Sequence, residues 1–529
     1  MRRVMFVATI VAFMFVMSPA YANYLIVTKI GEGTVSPSIG SHYYVWYTKV
    51  TLKATPAPGW VFDRWEGDFE GKPNPYTFRS TSDKWVSAIF KPATPGLSQN
   101  ALVEYVGAND PNSSFTIIDH DDHTGWEGYE MMVTSQTWRT TAEVDRPLWE
   151  HDMVLVVPWF HGDEVIYLIN GGSNPLKYPT PDSLFATVAI ALGSCYAQID
   201  QIPNQPLYFT DEVNNARTED EILAYSMDKC LTTGDWKWPV HCAMVKAAVK
   251  GMDAIQQTRD TLDKFIVLGA SKRGWTTWLT AAVDPRVAAV IPLVIDVFQL
   301  PQQVEHHWEA YGLYSSAIQD YVDFDLFCRA ATDPLAPDLL NIVDPYTFIS
   351  KFTMPALIIN GSSDQFFLPD SSRYYLSDLP NQADMRLRYF PNKDHYMEGV
   401  IDDYDNLWQI FSWGFNQVYG YENPYINWTV DANGAITVTT SKTPDSVKLW
   451  QATNPTARDF RLETVGPIYT STDLPRQSNG TYIGYCPPPA QGWTAYFVEA
   501  DLGAQTFTTR IYVTPDIDPY DDMGCWPAD

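Results

Sequence analysis

The segment at 264–275, KFIVLGASKRGW, constrains this chain more than any other part of it. Four apolar residues, Phe265-Ile266-Val267-Leu268, run into Gly269-Ala270-Ser271-Lys272-Arg273-Gly274, and helix-compatible sequence follows from Trp275 to Val283. A strand that turns sharply into a helix at such a sequence is the context of a nucleophile elbow. The turn strains the serine backbone, and the flanking glycines relieve the crowding. Gly-x-Ser alone is common in ordinary turns; the strand before it and the helix after it give it meaning. A serine is a weak nucleophile at neutral pH, so the chemistry also requires a histidine base and an acid to orient it.

Both partners follow in the chain. PALIINGSSD at 355–364 is a second apolar strand running out into Asp364, and LRYFPNKDHYM provides a short strand, Leu387 to Phe390, followed by His395 in a polar loop. The order Ser271, Asp364, His395 is that of α/β-hydrolases. Asp296 also ends an apolar strand, Val290 to Ile295, and is the alternative acid. His306 and His307 fall in QQVEHHWEAYG, which reads as a helix or lid segment. Asp394 reads as a solvated neighbour of His395, and the remaining histidines all precede the serine.

Acyl transfer needs donors for the developing oxyanion. One is expected to be the backbone N–H of Lys272, directly after the nucleophile. The other is expected from DEVIYLINGGSNP, where the strand Val165 to Ile169 is followed by a loop containing Gly171 and Gly172. Paired glycines let the main chain approach a carbonyl closely. The sequence does not choose between the two.

Strands at 115–118, 130–134 and 153–157 and helices at 181–193, 218–232 and 241–260 surround these motifs. Such alternation predicts an α/β fold with a mostly parallel sheet and helices on both faces, spanning 101–422. The aromatic and acidic stretch 296–350 lies between the strand at 290–295 and the acid strand and is expected to form a cap over the site. Within it Glu305, His306 and Tyr311 are pocket candidates, although a packed lid helix is the simpler explanation of them. From 423 to 529 the pattern becomes alternating strands with an Asn433-Gly434 hairpin signal, which predicts a C-terminal β-sandwich. Residues 23–91 form a separate small β module of short strands punctuated by Gly and Pro, with Trp60, Phe62, Trp65 and Trp85 as its aromatic core, and 92–100 is a linker.

Several separated motifs carry a family likeness. GASKRGWTTWLTAAVDPRVAAVIP, IPNQPL at 202–207, HCAMVKAAVKGMDAIQ at 241–256 and LWQATNPTARDFRL at 449–462 resemble the PhoPQ-activated pathogenicity-related protein family over roughly residues 100–520. The resemblance implies a secreted α/β-hydrolase fold and hands over no substrate. The N-terminal run G-x-G-x-V-x-P, with V-x-L-x-A-x-P-x-x-G-W-x-F-x-x-W-x-G and W-V-S-A-I-F, resembles the divergent internalin B-repeat module.

At 529 residues, 45% hydrophobic and 14% aromatic, the chain is long enough for two or three domains with ample cores. A formal charge of −28 disfavours nucleic acid or an anionic membrane as partner. No Walker loop, H-E-x-x-H or C-x-x-C is present, so no metal or nucleotide cofactor is expected. Arg2-Arg3, an apolar run from Val4 to Met17 and Ala20-Tyr21-Ala22 read as a signal peptide cut after Ala22, too short for a stable membrane span. Export permits disulfides. Cys230 with Cys242 and Cys486 with Cys525 are the expected pairs, leaving Cys195 and Cys328 as free thiols. The expected activity is cleavage of an ester or amide in a small-molecule or peptide substrate. The alternative is a non-catalytic secreted signalling or virulence-associated protein that keeps the scaffold. Oligomeric state is not legible.

Overall fold

The computed structural model describes residues 22–57, 60–70, 72, 74–92, 100–174 and 183–521. The expected signal peptide, apart from Ala22, and the expected linker from 93 to 99 lie outside the described residues. The chain divides into two compact units with the boundary between residues 94 and 95.

The first unit is all β. A four-stranded sheet places Gly40–Val45, Ala22–Ile30, Lys84–Pro92 and Trp60–Gly67 side by side, and a three-stranded sheet joins Gly33–Ser36, Lys49–Pro56 and Tyr76–Arg79. Strand alternation selects the core: Val86, Ala88 and Phe90 point inward onto Leu25, Val27, Leu52 and Trp65, with Trp60 and Phe62 packed at the margin. Trp85, expected in that core, is 42% exposed. It is one residue out of phase with Val86 and lies beside Ile26 on the outer face.

The second unit is built on a large sheet. Its strands are β1 (Ser114–His123), β2 (Trp126–Thr137), β3 (Leu148–Pro158), β4 (Glu164–Ile169), β5 (Cys195–Ile199), β6 (Lys264–Ala270), β7 (Val287–Leu293), β8 (Ala356–Gly361) and β9 (Met385–Phe390). The C-terminal segment adds β10 (Ser446–Asn454), β11 (Thr470–Asp473), β12 (Trp493–Asp501), β13 (Thr506–Thr508) and β14 (Tyr512–Thr514). The order is β11-β10-β12-β13-β9-β8-β7-β6-β4-β5-β3-β2-β1, with β14 on β12. From β5 through β9 every neighbouring pair is parallel, whereas β3 runs antiparallel to both of its neighbours. Strands β2 to β9 in this order make the α/β-hydrolase fold.

The main helices are α1 (Leu184–Leu192), α2 (Glu219–Thr233), α3 (Val240–Thr258), α4 (Lys272–Val283), α5 (Leu300–Tyr311), α6 (Leu326–Thr332), α7 (Ala336–Val343) and α8 (Tyr404–Tyr419). Successive residues of β6 feed opposite cores: Phe265 and Val267 pack with residues of α2, α3 and α4, while Ile266 and Leu268 pack with α1 and α8. Burial on both faces is why β6 reads as an unbroken apolar run. The hairpin β1–β2 is longer than the sequence suggests, because its outer end is a polar, exposed DHDDH stretch without an apolar alternation.

The C-terminal strands build two layers. Ile426–Val430, Ile436–Thr440 and Tyr482–Gly484 form a separate three-stranded sheet, and the other layer, β10 to β14, is continuous with the central sheet. The join is β13 on β9, where Leu387 lies opposite Thr508 and Tyr389 N–H donates to Thr508 Oγ1 at 3.0 Å. Covering β9 in this way removes an exposed sheet edge. Residues 101–422 and 423–521 therefore share one core.

The cysteine expectations need correction. Cys195, Cys230, Cys242 and Cys486 are buried free thiols, whereas Cys328 is disulfide-bonded. Cys230 lies in α2 and Cys242 in α3, each packed into apolar core. Burial pushes the Cys242 thiol far above its ordinary pKa, so it behaves as a small hydrophobe. Cys525 lies outside the described residues.

Candidate active site

Ser271 sits between β6 and α4 with φ +57° and ψ −127°. A side chain rarely occupies that region, and doing so costs on the order of 1–3 kcal/mol. The surroundings enforce it. Ser271 N–H donates to Leu293 O of β7 at 2.9 Å, and its carbonyl accepts Trp275 N–H at 2.9 Å. Gly269 and Gly274 leave no room for a Cβ: one at Gly269 would lie 2.6 Å from Arg273 O, and one at Gly274 would lie 2.7 Å from the Ile295 side chain.

The structure brings three of the sequence-predicted residues together. His395 Nε2 is 2.7 Å from Ser271 Oγ, and His395 Nδ1 is 2.8 Å from Asp364 Oδ2. Asp364 Oδ1 accepts the N–H groups of Phe366 at 2.7 Å and Phe367 at 3.2 Å, so both carboxylate oxygens are engaged. The loop carrying His395 crosses the end of β8 so closely that a Cβ on Gly361 would meet Lys393 O at 2.4 Å. Two residues that sequence reasoning passed over hold His395. Phe366 lies against the ring at a centroid distance of 4.1 Å, and Gln365 Oε1 accepts the backbone N–H of His395 at 3.2 Å. Both follow Asp364 directly, so the acid loop also shapes the base.

Asp296 is not in contact with His395. Its carboxyl is buried and faces Tyr375 Oη and Asn360 Nδ2, the latter at 3.0 Å. Burial pushes its pKa up to about 7, aided by the negative charge of Asp364. Asp394 stays local, accepting Tyr396 N–H at 3.1 Å.

On the oxyanion side, Lys272 is the first residue of α4, where a backbone N–H has no acceptor within its own helix. Its ammonium turns away to Glu219 at 2.8 Å and Asp220 at 3.0 Å. The loop bearing Gly171 and Gly172 leaves β4 beside the elbow, since β4 and β6 pair in parallel up to Ile169 opposite Gly269. Arg273 pins it: a Cβ on Gly171 would lie 2.6 Å from the guanidinium, which also donates to Ile202 O at 2.5 Å and to both oxygens of Glu219. Burial raises the Glu219 carboxyl, but Arg273 and Lys272 outweigh it and hold the group well below the usual carboxylate range. Gly171 carbonyl accepts Gln201 N–H at 3.0 Å, and Gly172 is exposed at φ +121°.

The segment between β7 and β8 folds into α5, α6, α7 and short helical turns. With α2, α4 and the acid loop it lines a partly open pocket of about 140 Å3 that reaches Ser271 and Lys272. Ile295, Val297, Leu326, Phe327, Val343 and Phe367 give it an apolar wall. Of the pocket candidates in α5, Glu305, His306 and Tyr311 do not line it; Gln303, Val304 and His307 do. His306 is instead bonded to Asp370 at 3.0 Å within a buried ionic cluster that includes Arg458. Burial pushes His307 down to about 3, and its Nε2 accepts Ser315 N–H at 3.1 Å, so it is a neutral wall residue.

Among the described residues, two groups have ligand atoms close enough to hold a metal: His120 with Asp122 and Glu127, and His306 with Glu309 and Asp518. A cation already serves each. Arg259 pairs with Glu127, and Arg458 Nε lies 3.2 Å from Asp518. No helix among the described residues is long and apolar enough to cross a membrane.

Comparison with known proteins adds kinship. The model of the PhoPQ-activated pathogenicity-related protein family matches residues 102–461, and that of the divergent InlB B-repeat domain matches 24–94. Autocrine proliferation repressor protein A of Dictyostelium discoideum is 32% identical over 456 residues, 79% of this chain and 91% of the relative. Among solved structures, acetyl xylan esterase 1 from a Thermoanaerobacterium species aligns with a TM-score of 0.43 at 16% identity, covering 60% of this chain and 92% of that one. The acylaminoacyl peptidase of Pyrococcus horikoshii aligns with a TM-score of 0.38 at 10% identity, covering 74% and 57%.

Proposed function

We propose that this chain, which belongs to the PhoPQ-activated pathogenicity-related protein family, is an exported serine hydrolase that cleaves an ester or amide bond through an acyl-enzyme on Ser271. The observation that carries the reading is the hydrogen-bonded series Ser271 Oγ–His395–Asp364 at 2.7 and 2.8 Å, with the serine held in a strained turn. Strained residues of this kind cluster at functional sites. Export rests on the leader-like sequence before Ala22.

In this mechanism Ser271 Oγ attacks the scissile carbonyl while His395 Nε2 takes its proton. Asp364 holds Nδ1–H, which keeps Nε2 free to accept, and stabilises the imidazolium that forms. The negative charge developing on the carbonyl oxygen meets the Lys272 N–H and a donor from the Gly171–Gly172 loop. The tetrahedral intermediate collapses, His395 returns the proton to the departing alcohol or amine, and a water activated by the same imidazole frees the acid. Nothing in these steps calls for a metal or an organic cofactor.

A fluorophosphonate probe tests this directly. The purified protein should be labelled covalently and the Ser271→Ala variant should not, with the thermal transition within a few degrees of the parent. Undiminished labelling of the variant would place the nucleophile elsewhere; no labelling of a folded parent would favour the non-catalytic reading.

A further inference from the structure

The acid and the base stand on two loops, and the strands below fix only where those loops begin. Ser362 and Ser363 lie between the end of β8 and Asp364, and Asn392 and Lys393 lie between the end of β9 and His395. The two loops are bonded to each other. Ser362 N–H donates to Phe390 O at 3.0 Å, Ser363 N–H to Lys393 O at 2.9 Å and Asn392 N–H to Ser362 Oγ at 2.9 Å. These bonds couple His395 to Asp364. The pair must also be steadied over Ser271, which stands at the end of β6 with β7 between.

Further contacts on both loops come from the connection between β10 and β11, residues 455–469. The motif LWQATNPTARDFRL runs into this connection. Asn454 folds its start: Oδ1 accepts Thr456 N–H at 3.1 Å and Ala457 N–H at 3.3 Å, and Nδ2 donates to Asp459 O at 2.7 Å. Leu462 N–H then donates to Ser363 O at 3.0 Å, and Tyr469 Oη donates to Ser362 O at 3.3 Å. The Asn392 side chain grips the main chain of Tyr469 at both ends. Its Oδ1 accepts Tyr469 N–H at 2.8 Å and its Nδ2 donates to Tyr469 O at 3.0 Å. One partner is a donor and the other an acceptor, so the amide has a single orientation. Asn392 has φ +59°, a region that asparagine enters more readily than most residues. Ser362, Ser363 and Tyr469 are buried, so a group that loses its partner here is left unsatisfied. Arg458, in the same connection, donates to Asp370 Oδ2 at 2.7 Å and so holds the far end of the acid loop as well.

We infer that the connection 455–469 is a clasp on the active site and that Asn392 is a positioning residue. Its grip on Tyr469 holds the loop of His395 while Leu462 holds the loop of Asp364, so the C-terminal strands take part in setting the imidazole against Ser271. The inference rests on the serine-hydrolase reading above and extends its machinery into the C-terminal strands. A misplacement on the order of 1 Å is enough to cost about 10²-fold in rate.

The test measures fluorophosphonate labelling of the full chain against probe concentration, which separates the rate of the chemical step, kinact, from probe binding, KI. Asn392→Gly removes both side-chain bonds and suits φ +59°; Asn392→Ala removes the same bonds and is strained there. In both variants kinact should fall about 10- to 100-fold with KI within about twofold of the parent, although the alanine variant melts lower. Leu462→Pro suits the first position of the helical turn Leu462–Val465, because the residue before it is extended. It loses the N–H that meets Ser363 O and should lower kinact at least about tenfold. Tyr512→Phe breaks a bond between two C-terminal residues only, Trp428 Nε1 to Tyr512 Oη at 3.0 Å, and should leave kinact unchanged.

A folded Asn392→Gly or Leu462→Pro variant that keeps the parent kinact would overturn the inference, as would a loss confined to KI or an equal loss in Tyr512→Phe. A folded parent that takes no probe is a different result: it would count against the serine-hydrolase reading and take the inference with it.

Discussion

Replacing Asp364 by Asn is the sharpest test of how the site is wired. Asp364 and His395 are both buried, and their contact of 2.8 Å excludes an intervening water. Asparagine occupies the same volume. Its carbonyl oxygen keeps the two backbone donors, Phe366 and Phe367 N–H, that now hold Asp364 Oδ1. The amide NH2 then faces His395 Nδ1 and requires that nitrogen to accept. The ring proton moves to Nε2, which points at Ser271 Oγ and loses the ability to take its proton. Turnover should fall on the order of 10³–10⁴, equivalent to about 4–5.5 kcal/mol in the barrier. Asp296→Asn should cost far less, because its carboxyl faces Tyr375 and Asn360 and not the imidazole. Steady-state kinetics on an activated ester, with thermal melts to show both variants folded, give the comparison. A loss below tenfold for Asp364→Asn, or a larger loss for Asp296→Asn, would refute the assignment of the acid.

Ser271→Gly should stabilise the fold by about 1–2 kcal/mol, since glycine takes φ +57° and ψ −127° without a Cβ clash; urea midpoints of Ser271→Gly and Ser271→Ala give the difference, and equal midpoints would mean that the turn is not strained. Burial holds Asp296 up to about 7, so between about pH 4 and 7 the folded chain keeps a proton that the unfolded chain has released. Its contribution to stability therefore falls as pH rises through that window and levels off above it, by on the order of a few kcal/mol. Urea unfolding at pH 5 and pH 8 should show a smaller drop in Asp296→Asn than in the parent, and an identical drop would exclude Asp296 as its source. Deleting 23–96 should leave a soluble chain that still takes the fluorophosphonate probe. Ending the chain near Tyr421 should give aggregate, because it uncovers β9 and strips Phe497, Tyr469 and Phe507 from the two cores. The opposite pair of outcomes would show that the compact units are divided elsewhere.

Much of this molecule was legible in short stretches. The elbow, the acid loop and the histidine loop each depend on about a dozen consecutive residues: an apolar run buried on both faces, then a turn whose residue types carry the geometry. The residue types and their order along the chain put Ser271, Asp364 and His395 each after an apolar strand, and the structure brings the three side chains together. Local alternation likewise marked the N-terminal module, and it misled only for Trp85, where a one-residue phase decides between core and surface.

What the tertiary structure decided depends on contacts between residues far apart in the chain. Cys230 and Cys242 are close in sequence and remain unpaired, while Cys328, read as free, is bonded. Asp296 and Asp364 both end apolar strands, and only the path of the loop over Gly361 brings the imidazole to one and not the other. The C-terminal strands alternate like an independent sandwich, yet one of their sheets completes the edge left open by β9. The physical reason is common to all three. Backbone preference and burial pattern are written residue by residue, whereas pairing, cavity shape and hydrogen-bond satisfaction are properties of where separate segments meet.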